Sequence, residues 1–208
     1  MPMSESSLRR PPKQERSRER VDEILCAAKR LIGEKGIDAV KMREIAALSG
    51  GPISSVYQYF PNKSAIIATI YGQWAEEVQD LLKSALINID GLETLAAVAG
   101  SILDAFHQRI ISDPAVLDLL NAVQADKALQ NVDIGETRQQ AAIFCDAARP
   151  WVDADQFEAF CRVTFLMFQL AGAAVRMALA VEDAEAQAII SDYKMIMHTQ
   201  QMEFARTR

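Results

Sequence analysis

Between residues 53 and 63 the chain places Ser54, Ser55, Tyr57, Gln58, Tyr59 and Lys63 within little more than two helical turns. Short hydroxyl and amide side chains at this density are suited to reading the hydrogen-bonding edges of nucleic-acid bases. Tyrosine hydroxyls and a lysine beside them suit the phosphate backbone. Arg43 and Lys41, a few residues upstream, add cations to the same stretch. Ordinary packing competes as a role for both tyrosines, and weighs more for Tyr57 than for Tyr59.

Such groups work only if a rigid element presents them. Val21, Ile24, Leu25, Ala28, Leu31 and Ile32 recur with helical spacing from about Ser17, and Gly36 supplies the stop. A second, short helix is predicted over Lys41 to Ser49 with Met42, Ile45 and Ala46 inward. Gly50-Gly51-Pro52 then forces a tight turn, and a third helix runs from Ile53 to Phe60 with Val56 and Phe60 in the core. Asn62 caps a long fourth helix reaching about Asn88, whose buried side is Ile66, Ile67, Ile70, Tyr71, Trp74, Val78, Leu81 and Leu82. Further helices are expected over residues 91 to 111, 114 to 130, 134 to 148, 154 to 181 and 183 to 205, with breaks at Gly91, Asp113-Pro114, Gly135, Pro150 and Glu182-Asp183. Nothing alternates strictly enough for a strand, so the fold class is all-α with about nine helices.

Charge is divided unevenly. The whole chain carries −6, but residues 1–64 hold 12 Lys+Arg against 8 Asp+Glu, whereas residues 65–208 hold 10 against 20. Only the first part is fit to meet a polyanion. Residues 1–16, with three prolines and four basic side chains, read as a flexible basic arm. Cys26, Cys145 and Cys161 are odd in number and lack CxxC spacing, which suits a reducing, cytoplasmic setting. The most apolar stretch is interrupted by Gln169 and Arg176, and the basic start has no apolar core, so neither a membrane span nor a secretory signal is expected. His107 and His198 are far apart, and HExxH, GxSxG, P-loop and GxGxxG patterns are absent from the sequence. An enzyme, a metal site and a bound cofactor are therefore not expected.

Two short helices around a glycine turn outline a helix-turn-helix. Ile45-Ala46, then Tyr57-Gln58-Tyr59-Phe60, then Asn62-Lys63-Ser64-Ala65-Ile66 resemble the TetR family pattern of IA, AGVS-x-GT-L-Y-x-YF and KE-x-L, with the spacing intact over roughly residues 17 to 75. The chain departs from it at Gly51, Pro52 and Ser54-Ser55, and again at Val40 and Lys41, where threonines are customary. The resemblance implies a transcriptional regulator: an arm over 1–16, a three-helix DNA-binding domain over 17–62, and a ligand-binding and dimerisation domain over 63–208. The DNA contacts it implies are Lys41, Arg43, Pro52, Ile53, Ser54, Ser55, Tyr57, Gln58, Tyr59 and Lys63. Its partners are then a palindromic double-stranded operator, a second copy of the chain through the last two helices, and a small effector that releases a repressor.

Phe157, Phe160, Phe165, Phe168 and the small patch Ala171-Gly172-Ala173-Ala174, with Ile189, Ile190, Tyr193, Ile196, Met197 and Phe204, supply the pairing helices. Trp74, Phe106, His107, Phe144, Phe165 and Met167 are the candidate effector contacts. Few charges in the middle of the chain point to a hydrophobic or aromatic effector. The alternative is a helical protein-interaction module without sequence-specific DNA binding.

Overall fold

A computed structural model describes residues 15–205, apart from the side chains of residues 114 and 128. All but the last two residues of the expected arm lie outside that range. Glu15 and Arg16 open the first helix, two residues ahead of the expected start.

The described elements run α1 (Glu15–Lys35), α2 (Met42–Leu48), α3 (Ile53–Tyr59), α4 (Lys63–Ala85), α5 (Leu92–Ser112), α6 (Pro114–Ala125), α7 (Lys127–Ala148), α8 (Phe157–Ala178) and α9 (Asp183–Met202). Among the described residues the sole β pairing is an isolated antiparallel bridge between Val152 and Ala205. The all-α fold follows from periodicity that the sequence displays openly. One break does not. The chain passes through Gly135 inside α7, where a glycine costs only about 1 kcal/mol relative to alanine. It breaks instead at Asp126, whose extended backbone ends α6 and whose carbonyl accepts from the Leu129 and Gln130 amides at 2.9 and 3.0 Å.

The chain divides into two compact units. The first holds residues up to Glu76 together with Asp113–Asp133, so it takes in α6 and the first half of α4 as well as α1 to α3. Val21, Ile24, Leu25, Ala28 and Ile32 of α1 are buried, as are Ile45, Val56 and Phe60, Ile66 and Ile70 of α4, and Val116, Leu119 and Val123 of α6. α1 and α6 approach closely at Gly33, where an added β-carbon would stand 3.4 Å from that of Ala115. A buried polar knot fixes α4 in this unit. The Tyr71 hydroxyl donates to one oxygen of Asp133, and Gln124 Nε2 donates to the other at 2.8 Å.

The second unit comprises Glu77–Ser112 and residues from Ile134 onward. Its apolar centre includes Leu92, Leu95, Ala99, Phe144, Ala148, Val152 and Phe160. Phe144 meets Phe168 edge-on at 5.8 Å between centroids, and Phe160 meets Phe204 at 5.6 Å. α9 packs on both α8 and α5. The Tyr193 hydroxyl donates to the Met167 carbonyl of α8, and Lys194 pairs with Asp104 of α5 at 2.6 Å. Length and composition alone would let α8 cross a bilayer, the one described helix of which that is true. Its Phe160, Thr164, Met167, Ala174, Val175 and Ala178 are buried within this unit.

One expectation fails here: Leu81 is exposed rather than inward. The interior of this unit also holds polar groups, since Glu136, Thr137 and Gln140 of α7 are all buried, with Gln79 Nε2 donating to Glu136 at 3.0 Å.

Candidate nucleic-acid interface

Lys41 stands at the N-cap of α2, and its amide donates to Glu44 at 2.9 Å, so the third helical residue reaches back over the helix start. The Lys35 ammonium at 2.6 Å, together with that amide, holds the Glu44 carboxyl below its ordinary range. After Leu48 the chain turns sharply. Gly50 has φ +74°, a left-handed conformation open to glycine at little cost, and the Gly51 amide donates to the Ala46 carbonyl at 3.1 Å. Pro52 is extended and stands at the N-cap of α3, which starts without a side-chain cap.

α3 has two distinct faces. Val56, Tyr59 and the flanking Phe60 are buried, while Pro52, Ile53, Ser54, Tyr57 and Gln58 are exposed. Positions 53, 54, 57 and 58 share one side of a helix, which gathers a hydroxyl, an amide, a phenol and a short apolar group there. That combination offers donors and acceptors for base edges and an apolar contact for a thymine methyl. Lys41 and Arg43 are also exposed, on the start of α2.

Three of the expected contacts lie elsewhere. Tyr59 is 8% exposed against 40% for Tyr57, so packing claims Tyr59 and leaves Tyr57 outward, the reverse of the expected weighting. Ser55 is half-buried, and its hydroxyl accepts a hydrogen bond from Arg20 of α1 at 3.0 Å. Lys63 points its ammonium at the carbonyls of Ile37 and Asp38, at 2.8 and 3.5 Å, tying the start of α4 to the α1–α2 loop. Asn62 caps α4 as expected, accepting from the Ala65 amide at 2.9 Å.

Arg20 is the residue that sequence reading missed. It sits in the apolar register of α1, one turn ahead of Ile24, opposite a Ser-Gly-Gly turn with room for a guanidinium. An arginine at a stripe position was the available signal.

The candidate effector contacts are dispersed. Trp74 belongs to the first unit, where its ring lies 5.5 Å from that of Tyr71. In the second unit Phe144 and Met167 are buried in the core, Phe106 is half-buried, and the half-buried Phe165 carries the Arg138 guanidinium 4.6 Å above its ring. A groove of about 470 Å³ is lined by Asp104 and His107 of α5, Ala178 of α8, Val181, and Ile190 and Lys194 of α9, and His107 is the one effector candidate on it. Cys145 is buried and Cys26 exposed, and the described cysteines are free thiols.

Comparison with known proteins bears on both units. Residues 24–70 match the model for bacterial regulatory proteins of the tetR family, and residues 93–205 match the tetracyclin repressor-like C-terminal domain. The HTH-type nicotine-responsive transcriptional repressor HdnoR of Paenarthrobacter nicotinovorans is 28% identical over 95 residues, 46% of this chain and 47% of that protein. The chain thus spans about half the length of the curated relative it matches. A TetR-family transcriptional regulator from Streptomyces coelicolor has the same fold at 21% identity, with a TM-score of 0.66 over 90% of this chain and 98% of the other. So does SmeT, the repressor of the Stenotrophomonas maltophilia multidrug efflux pump SmeDEF, at 14% identity, with a TM-score of 0.63 over 89% of this chain and 90% of that one. Regulators of this type are non-enzymatic DNA-binding proteins. With the C-terminal match alone covering just over half of its length and the N-terminal match lying on the helix-turn-helix, the chain belongs to the TetR family of bacterial regulatory proteins.

Proposed function

We propose that this chain is a cytoplasmic transcriptional repressor that binds a palindromic operator as a homodimer and leaves it when a small, largely apolar or aromatic effector is bound. The observation that carries the reading is the outer face of α3, where Ser54, Tyr57 and Gln58 stand exposed on a short helix whose other side is buried. Gln58 is the base-reading residue of the set, and Tyr57, Lys41 and Arg43 take phosphates.

Dimerisation supplies the spacing that two heads need to meet successive major grooves, about 34 Å apart. An exposed apolar strip supports it. Leu166, Leu170 and Met177 recur on one side of α8, and Met195 and Ile196 stand exposed on α9. The aromatic content of the second unit and the nicotine-responsive relative support an aromatic effector. Effector binding then acts by favouring a conformation of the dimer that no longer fits the operator.

The direct test is a gel shift of the full-length chain on the region upstream of its own gene, with and without residues 1–16, at low salt. A retarded complex that persists without the arm and competes out with its own sequence is expected. No complex on any palindromic duplex would falsify the repressor reading. Gln58→Ala should change the preferred sequence, and equal loss on every duplex removes Gln58 from base reading.

A further inference from the structure

Arg20 is 16% exposed, unusually little for an arginine so near a helix end, and its guanidinium is spent inward. Nε donates to the Ser55 hydroxyl of α3 at 3.0 Å. One terminal nitrogen donates to the Ser49 carbonyl and to Glu23 at 2.9 Å, and the other to Ser49 Oγ at 3.1 Å. One planar fork therefore engages α1, the residue that closes α2, and the middle of α3. A guanidinium is suited to this because its donors are fixed in one plane, so gripping several acceptors fixes the separation and roll of the elements that carry them.

Gly51 completes the arrangement. A β-carbon there would stand 2.6 Å from the second terminal nitrogen and 3.0 Å from the central guanidinium carbon. The backbone does not require glycine at this position, since among the described residues only Gly36 and Gly50 have positive φ. What a side chain here would displace is the Arg20 guanidinium from its present seat. The match to the N-terminal family model begins at residue 24, so Arg20 lies outside it.

We propose that Arg20 is a positioning residue for DNA recognition: it clamps α3 through Ser55 and the turn through Ser49, while Gly51 keeps its seat open. The inference rests on the DNA-reading role of α3. It also distinguishes Arg20 from a phosphate ligand. A cation on phosphate adds to the salt dependence of binding, whereas a clamp raises affinity for the right sequence without adding to that dependence.

The test uses the full-length chain and a duplex enriched from a randomised pool by the unsubstituted protein, with affinity followed by anisotropy against salt. R20A should lower affinity for that duplex roughly tenfold to a hundredfold, the range for losing hydrogen bonds to a charged group. Its affinity for an unrelated duplex, its slope of log K against log salt and its helical content should stay unchanged. R20K, which has the charge without the fork, should remain weak. G51A should weaken binding by itself but add nothing to R20A, because its cost is the displacement of Arg20.

A salt slope reduced by about 0.9 per lost contact in R20A overturns the proposal in favour of a phosphate ligand. So do losses in R20A and G51A that simply multiply. Should R20A fail to fold, S55A and G51A carry the test with the arginine still present. Weaker specific binding at an unchanged salt slope then supports the clamp, and unchanged specific binding overturns it. If the unsubstituted chain enriches no duplex, the DNA-reading role itself falls, a result seen before any variant is made.

Discussion

In the first unit α2 and α3 have seven residues each, whereas in the second α8 has 22 and α9 has 20. The difference in length is a difference in what holds them. Isolated helices below roughly 12–15 residues are marginal in water. Ser55 of α3 and Ser49, which closes α2, are accordingly gripped from α1 by Arg20, and Glu44 caps the start of α2 through the Lys41 amide, while Lys63 on the Ile37 carbonyl and Asn62 hold the start of the helix that follows. The long helices carry broad apolar faces and interlock through Phe144, Phe160, Phe168 and Phe204. The ion pair of Lys194 with Asp104 is partly exposed and worth little, and the Tyr193 hydroxyl adds one buried hydrogen bond, to the Met167 carbonyl. In this molecule the short helices add directional contacts to the little area they bury at Ile45, Val56 and Tyr59, whereas the long ones rely mainly on area.

That contrast can be broken at several points. The largest effect should come from Phe144→Ala, which empties a fully buried site in the second unit and should cost about 3–5 kcal/mol in urea unfolding. A cost near zero would remove apolar packing as the main support there. Tyr71→Phe, in the first unit, deprives the buried Asp133 of a hydroxyl donor and should cost about 1–3 kcal/mol by the same measurement. Asn62→Ala removes a helix cap and should cost about 1 kcal/mol. Its loss of operator affinity should exceed what that stability change explains, and affinity that merely tracks stability would erase the distinction between the units.

A different lever acts at high pH. Burial pushes both the Cys145 thiol and the Tyr193 hydroxyl of the second unit up, so both keep their protons in the folded chain when the unfolded chain has begun to lose them. Their contribution is present at neutral pH and is lost as pH rises past the ordinary thiol range, near 8.5, and then the phenol range, near 10, at up to about 1.4 kcal/mol per pH unit per group. Cys145→Ala should flatten the first part of that decline, and an unchanged alkaline limb would show that the thiol is not its source.

The two units were also unequally legible. Gly50-Gly51-Pro52 and Asn62 punctuate the chain so strongly that α2, α3 and the start of α4 lie within a residue of their expected bounds. Ser54 and Gln58 stand outward as their polar side chains suggest. The sense of the tyrosines could not be read from residue type, because in so short a helix the inward position is decided by where Phe60 and Val56 anchor it. Arg20 and Lys63 escaped for a related reason: most of their partners are carbonyls and hydroxyls, set by turns whose path the sequence does not spell out. Along α7 the apparent punctuation misled, since Gly135 is carried inside the helix while Asp126, an unremarkable residue in sequence, ends one helix and starts the next. The dispersal of Trp74, Phe144 and His107 has the same root: an apolar pattern says which residues are covered, and many arrangements cover the same ones.

The apolar strip formed by Leu166, Leu170 and Met177, with Met195 and Ile196 on the neighbouring helix, bears on dosage. A dimer joined through that strip forms in proportion to the square of the free chain's concentration, so its melting temperature should climb as the protein is made more concentrated. A cell that halves the number of copies then loses more than half of its DNA-binding species wherever monomer predominates. Repression by such a chain would respond steeply to how much of it is made, even before any effector arrives.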